Sequence, residues 1–189
     1  DRYGVPIIED DPYGQLRYEG ENLPTIVSMD NEYRKNGGNE YRGNVIYLST
    51  FSKTLAPGLR LAWVIAPAHV IRKLVQAKQG ADLHTATFNQ IVAYEVARGG
   101  FIDRHIWLIR RVYGERRNIM LDAMEELFPP GVKWTKPQGG LFLWGMLPIG
   151  MDTTEVFKIA VARKVAFVPG TSFFALGGGA RSRADHPGA

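Results

Sequence analysis

Two apolar runs of strand length, "NVIYLSTF" and "RLAWVIAP", stand close together in the chain, and the loop between them carries a single lysine, Lys53. Short runs of this kind, rich in β-branched and aromatic residues and interrupted by a Pro-Gly turn, read as strands. An earlier run, "VPIIED", has the same character and ends in carboxylates. Three such runs followed by helical patterns predict an α/β fold with a mostly parallel sheet. In sheets of that kind ligands bind outside the carboxyl ends of the strands, which is where Lys53 falls.

The segment from about Glu21 to Gly43 is polar, contains "NGGN", and reads as a loop with at most a helical turn. Downstream, "AHVIRKLVQAKQ" and "ATFNQIVAYEVARGG" have helical spacing, the second closed by Gly99-Gly100. The longest pattern, "FIDRHIWLIRRVYGERRNIMLDAMEELF", places Ile102, Ile106, Ile109, Tyr113, Met120, Ala123 and Leu127 on one side, and "FPPG" ends it. After it, "VKWTKPQGGLFLWGMLP" suggests a hairpin, Asp152 and Glu155 a capping box opening a helix, and "VAFVPG" another strand. The expectation is a larger α/β domain over 1–114 and a small α+β domain over 115–189, with the boundary inside the long helix near Glu115.

With 189 residues, 45% of them hydrophobic and 22% charged, the chain can bury a core and is not expected to be disordered. A net charge of +4 fits anionic small molecules as well as an ordinary solvated surface. No cysteine is present, which excludes disulfides and thiolate metal sites and suits an intracellular, cytoplasmic protein. His69, His84, His105 and His186 show no ligand spacing, so no metal is expected. No apolar run is long enough to span a bilayer. The sequence starts directly on a strand without methionine and ends in the aperiodic "GGGARSRADHPGA", which suggests a piece of a longer polypeptide.

The lysine loop carries the chemistry. An amine becomes a useful nucleophile when it is partly desolvated and has other groups arranged around it. Thr50 and Ser52 supply hydroxyls just before Lys53, and Arg60 follows the Pro57-Gly58 pair with a fork suited to a phosphate. Lysine, hydroxyls and arginine together describe a site for an aldehyde that carries a phosphate, and pyridoxal phosphate is such a molecule. Alone, a Ser-Lys pair beside Pro-Gly is commonly a plain solvated loop. The whole series of strand, hydroxyl, Ser-Lys, Pro-Gly, Arg and strand is much rarer.

That series, "STFSKTLAPGLRLAW", resembles the cofactor-lysine segment of the fold-type I, class I/II aminotransferases, most closely the branch with the 2-aminoadipate and kynurenine aminotransferases. The resemblance implies that Lys53 forms the internal aldimine with pyridoxal 5'-phosphate and moves a proton between substrate Cα and cofactor C4′. It also implies phosphate-binding roles for Thr50, Ser52 and Arg60. A second segment, "IIEDDPYGQLRY", resembles the family's Asp-x-x-Tyr motif, implying that Asp10 meets the pyridine nitrogen and Tyr13 the ring hydroxyl oxygen. A carboxylate beside that nitrogen keeps it protonated and lets the ring accept electrons. Glu9 and Asp11 flank Asp10, and only the match to Tyr13 selects among the three.

The resemblance extends to about Gly179, through "PQGGLFLWGMLP" and "VAFVPGTSFF". It implies a partial large domain of the fold-type I transferases followed by the small C-terminal domain, and an enzyme exchanging an amino group between an amino acid and a 2-oxo acid such as 2-oxoglutarate. A homodimer is implied for the full-length protein. Where the family carries an asparagine and then a carboxylate-binding arginine, this chain reads "LGGGARSRADHPGA", and neither Arg181 nor Arg183 has the family's context. The family's first half, with the other wall of the site, has no counterpart here, so the chain alone is expected to be weakly active or inactive. Two other outcomes share the motifs: the effector domain of a pyridoxal-phosphate-dependent transcription regulator of the GntR/MocR type, and a lyase on the same scaffold. No stretch of these residues resembles a recognition helix or a nucleic-acid surface.

Overall fold

The structure, a computed structural model, describes residues 2–34 and 40–174. They divide into two compact units, the first from the start of the chain through Arg117 together with Gln138–Leu141, the second made of Asn118–Pro137 and the chain from Phe142 onward. The long helix runs through the division.

The first unit is built on a three-stranded sheet in the order β1 (Ile7–Asp10), β2 (Val45–Thr50), β3 (Ala62–Ile65). β1 and β2 are parallel, pairing Ile7 with Val45, Ile8 with Ile46, Glu9 with Tyr47 and Asp10 with Leu48. β3 returns antiparallel, pairing Thr50 with Ala62 and Tyr47 with Ile65. Successive side chains on a strand point to opposite faces. Glu9, Tyr47 and Ser49 therefore share one face, and Asp10, Leu48 and Thr50 share the other.

The polar stretch before β2 holds a real helix, α1 (Ile26–Tyr33), where the sequence suggests only a turn. Its eight residues are too few to persist on propensity alone. The helix is fastened from outside instead. Both oxygens of Glu9 accept from its first backbone N–H groups, Ile26 at 2.7 Å and Val27 at 2.9 Å. A carboxylate there meets the positive end of the helix and satisfies donors that have no partner within it. Thr25 caps the same turn, its hydroxyl accepting from Ser28 N–H at 3.3 Å.

At the other end of α1, Asp30 ties the helix to the beginning of β2. Its carboxylate accepts from the Tyr41 hydroxyl at 2.5 Å, the Asn44 N–H at 2.9 Å and Arg34 Nε at 2.9 Å. Tyr41 in turn accepts from the Val45 N–H at 2.9 Å, and Val45 is 2% exposed. Gly43 is buried against this cluster, and a Cβ there would run into the Asp30 carboxylate and the Tyr41 hydroxyl. Burial drives the Tyr41 phenol up to about 12, helped by its hydrogen bond to Asp30.

Two helices follow the sheet, α2 (Ala68–Ala81) and α3 (Thr87–Ala97). A turn through Gly100, at φ +68°, leads into α4 (Phe101–Leu127). This left-handed backbone suits glycine. Within the first unit α4 is held by polar contacts: Arg110 Nε donates to the Gln15 carbonyl at 2.7 Å, and Arg117 pairs with Glu19 while its guanidinium lies 5.0 Å from the Tyr18 ring centroid. No helix among the described residues is long and apolar enough to cross a membrane.

In the second unit the expected hairpin shrinks to two-residue strands, β4 (Lys133–Trp134) and β5 (Gly145–Met146). Part of the chain joining them, Gln138–Leu141, belongs to the first unit, where the Gln138 carbonyl accepts from Tyr18 and Glu19 N–H and Gly140 N–H donates to the Leu16 carbonyl at 3.0 Å. Gly139 is required there, because a Cβ would lie 2.9 Å from the Arg17 Cα. The last helix, α5 (Thr153–Ala162), is capped by Asp152, which accepts from Thr154 N–H at 2.7 Å. Glu155 does not complete a capping box; it pairs with Lys158 at 2.7 Å. "VAFV" is not a strand, since no neighbouring strand among the described residues pairs with it. Phe167 packs edge-on against Phe157 of α5 instead, with ring centroids 5.5 Å apart.

The Asp30 cluster makes stability depend on pH. Burial pushes the Asp30 carboxyl upward, but the hydrogen bonds from Tyr41, Asn44 and Arg34 outweigh it and hold the group below the usual carboxylate range. A depressed carboxyl adds stability that is complete above its unfolded value and is lost as the pH falls through the folded one. Asp30→Asn should therefore destabilise the protein at neutral pH, and its deficit in urea unfolding should shrink as the pH falls from about 4 downward. A deficit that stays constant across that range would contradict the role given to the carboxylate.

Candidate active site

β2 ends at Thr50, and the chain turns at once into the lysine loop. The loop closes on itself: Phe51 N–H donates to the Leu61 carbonyl at 3.1 Å, and the Leu55 and Ala56 N–H groups return to the Phe51 carbonyl at 2.8 and 3.0 Å. Thr54 is buried at 5% exposure, and the Phe51 ring packs against Trp63 of β3 at 4.8 Å between centroids. Lys53 thus leaves a firmly closed turn, and its side chain is half-buried.

The Thr50 hydroxyl organises the turn. It lies 2.8 Å from the Leu61 carbonyl, 2.9 Å from the Ser52 hydroxyl and 3.0 Å from the Ser52 N–H. A carbonyl can only accept, so the single Thr50 proton goes to Leu61, and Thr50 accepts from Ser52. Of the two hydroxyls, Ser52 is therefore the one with a proton to turn toward a ligand. Arg60 sits at φ +55°, at the end of a 3₁₀ turn over Pro57–Leu59, and is exposed. Its guanidinium donates to the Pro57 carbonyl at 3.0 Å, and no contact among the described residues joins it to Thr50 or Ser52. The loop is also fastened from α3, where the Asn89 amide donates to the Leu59 carbonyl at 3.0 Å.

The second motif lies beside the first because β1 pairs with β2. Lys53 Nζ stands 5.8 Å from the centroid of the Tyr13 ring. Asp10 closes β1 opposite Leu48, on the face it shares with Thr50. The three adjacent carboxylates separate by what they hold. Glu9 caps α1. Asp11 Oδ1 accepts from the Gly14 N–H at 2.6 Å and Asp11 Oδ2 from the Tyr47 hydroxyl at 3.0 Å. Asp10 is exposed and accepts no hydrogen bond from any described residue. The carboxylate left for a ligand is the one that strand alternation turns away from α1.

The structure thus brings Asp10, Tyr13, Thr50, Ser52 and Lys53 to one end of the β1–β2 pair, with Arg60 bonded to the Pro57 carbonyl of its own turn. Asn89 and the partners of Asp11 have no sequence motif. The alternation of strand faces does signal the division of labour among Glu9, Asp10 and Asp11. Arg181 and Arg183 lie outside the described residues. An amine, a carboxylate that accepts no hydrogen bond from any described residue, a phenol and a hydroxyl that can turn from Thr50 form a set of groups that fits a phosphorylated pyridine aldehyde.

The family model for aminotransferase class I and II matches residues 1–183. The chain belongs to that family. Its members depend on pyridoxal phosphate. The aromatic-amino-acid aminotransferase 1 of Thermococcus litoralis is 51% identical over 174 residues, covering 92% of this chain and 39% of that protein. The crystal structure of the α-aminoadipate aminotransferase LysN from Thermus thermophilus, complexed with N-(5'-phosphopyridoxyl)-L-leucine, superposes with a TM-score of 0.86 at 42% identity, covering 95% of this chain and 44% of that one. The transcriptional regulator NorG of Staphylococcus aureus is 30% identical over 171 residues, a weaker likeness that gives the regulator reading no preference. The chain spans about two-fifths of the length of these aminotransferases. The fold is accordingly part of a fold-type I transferase, with a mixed sheet where β3 returns antiparallel.

Thr50→Val should remove the hydroxyl that bridges Leu61 and Ser52 and lower stability by about 1 to 3 kcal/mol. Thr50→Ser should retain most of it. Equal unfolding midpoints for the valine and serine variants would contradict the bridging role.

Proposed function

We propose that this chain forms the lysine-bearing part of a pyridoxal-phosphate-dependent aminotransferase that exchanges an amino group between an amino acid and a 2-oxo acid such as 2-oxoglutarate. The observation that carries the proposal is Lys53 beside Tyr13 at the end of β2, with Asp10 the carboxylate that has no partner among the described residues. When bound, pyridoxal phosphate supplies an electron sink that makes a substrate Cα–H acidic.

The protein's share of the work is distributed over the residues already described. Lys53 would hold the cofactor at its aldehyde carbon and afterwards carry the proton that leaves or joins substrate Cα. Asp10 would keep the pyridine nitrogen protonated, since a carboxylate within hydrogen-bond reach favours the charged ring. Tyr13 would donate to the ring oxygen, and its ring is close enough to Lys53 to share in orienting the amine. Ser52 would turn its proton to the phosphate, with Thr50 holding the loop in shape. Arg60 would exchange the Pro57 carbonyl for the phosphate, a bidentate partner of opposite charge.

A site made of these groups is open on one side. On the face they share with Asp10, Ile8 of β1 is 66% exposed and Val64 of β3 38%, although the sheet of an α/β fold is normally covered on both faces. That surface supports the reading that further chain, as in the longer relatives, completes the enzyme. A homodimeric, cytoplasmic enzyme belongs to the same proposal, as does low activity for these 189 residues by themselves.

Replacing Lys53 by alanine in the full-length protein should lower transamination by at least about 10³-fold, since both its holding and its proton-carrying roles go. Turnover within tenfold of the unsubstituted enzyme would sink the assignment.

A further inference from the structure

We propose that Asp11 is a positioning residue, clamped by Tyr47 and Ser49 of β2, that aims Asp10 and Tyr13 at the cofactor. The inference rests on the aminotransferase reading above and deepens it. Asp11 sits between the two ligand-facing residues in sequence and directs every polar group it has into the protein. Its N–H donates to the Leu48 carbonyl at 2.8 Å, and its own carbonyl accepts from the Ser49 hydroxyl at 2.8 Å. Its carboxylate bridges the Gly14 N–H at 2.6 Å and the Tyr47 hydroxyl at 3.0 Å.

Four hydrogen bonds on one residue fix the turn from both ends. The backbone pair continues the β1–β2 ladder one residue past Asp10, so Asp10 cannot fray from the sheet. The carboxylate pair reaches forward to Gly14, so the 3₁₀ turn at Gly14–Leu16, which Tyr13 introduces, is fixed as well. Pro12 between them has its φ set by its ring. Gly14 carries the mark of this clamp, because a Cβ there would overlap the Asp11 carboxylate. Tyr47 is a dependable donor, since burial, with the Asp11 carboxylate adding to it, raises its phenol above the ordinary value and keeps it protonated.

None of these contacts touches the ligand. Their effect on chemistry passes through Asp10, whose carboxylate must lie within hydrogen-bond reach of a ring nitrogen, where small misplacements cost much. Asparagine at position 11 would keep an oxygen for Gly14 and offer an amide to the Tyr47 oxygen. Alanine would leave both partners without Asp11.

The test uses the full-length protein, pyridoxal phosphate as the probe, and three readouts: cofactor Kd by visible absorbance titration, the pH midpoint of the bound cofactor's absorbance, and Tm of the apoprotein. Asp11→Ala should raise Kd about tenfold and move the midpoint in the direction Asp10→Asn moves it, while Tyr47→Phe should do the same by about threefold. Asp11→Asn should fall between alanine and the unsubstituted protein. If Asp11→Ala does not fold, Tyr47→Phe decides. A lowered Tm with Kd and midpoint unmoved in Tyr47→Phe and any folded Asp11→Ala, while Asp10→Asn shifts both, would overturn the positioning role and leave the aminotransferase reading intact. If Lys53→Ala keeps the absorbance band of the unsubstituted protein, the reading beneath fails, and this inference with it.

Discussion

The in-register parallel pairing of β1 with β2 is the constraint on which the candidate site depends. It sets Asp10 beside Leu48 and thereby brings the end of one strand to the start of the lysine loop on the other. Because side chains alternate, a slip of one residue would turn Asp10 toward α1 and push Glu9 or Asp11 to the ligand side. The register is defended on the face turned away from the site. Glu9 has a fixed task at the first turn of α1, and Asp11 has a fixed task between Tyr47 and Gly14. Neither task survives the shift.

The same economy of donors and acceptors governs the loop after β2. Thr50 spends its proton on the Leu61 carbonyl and its lone pairs on Ser52, so the turn is closed before any ligand arrives. Asn89 does the same for the Leu59 carbonyl from a different helix. Preorganisation of this kind removes an ordering cost from binding. What remains adjustable is at the ends of side chains: the Lys53 amine, the Ser52 hydroxyl and the Arg60 guanidinium.

Much of this was legible in the chain itself. The three strands are short apolar runs, and α2, α3 and α4 follow the spacing of their apolar residues. Lys53 stands out because a charged residue at the end of a buried strand has few other reasons to be there. α1 was not legible, because it is held by Glu9 and by the Tyr41 and Asn44 groups that bond Asp30, partners distant in sequence, and not by its own composition. The small strands β4 and β5 were misjudged in extent for a related reason. The Gly139-Gly140 pair looks like a hairpin turn, yet it belongs to the first unit and serves a close approach to Leu16 and Arg17 there. "VAFV" has the composition of a strand and lacks a neighbour. In the sequence only the match to Tyr13 selects Asp10 among the three carboxylates; the fold adds that Glu9 and Asp11 have hydrogen-bond donors of their own.

The central claim is that the Lys53 amine is the point where the cofactor is held. Borohydride treatment of the cofactor-loaded full-length protein, followed by peptide mass mapping, tests it most directly. The account predicts a phosphopyridoxyl mass on the peptide containing "STFSK", located at Lys53. The same mass on another lysine, or on none, would contradict it.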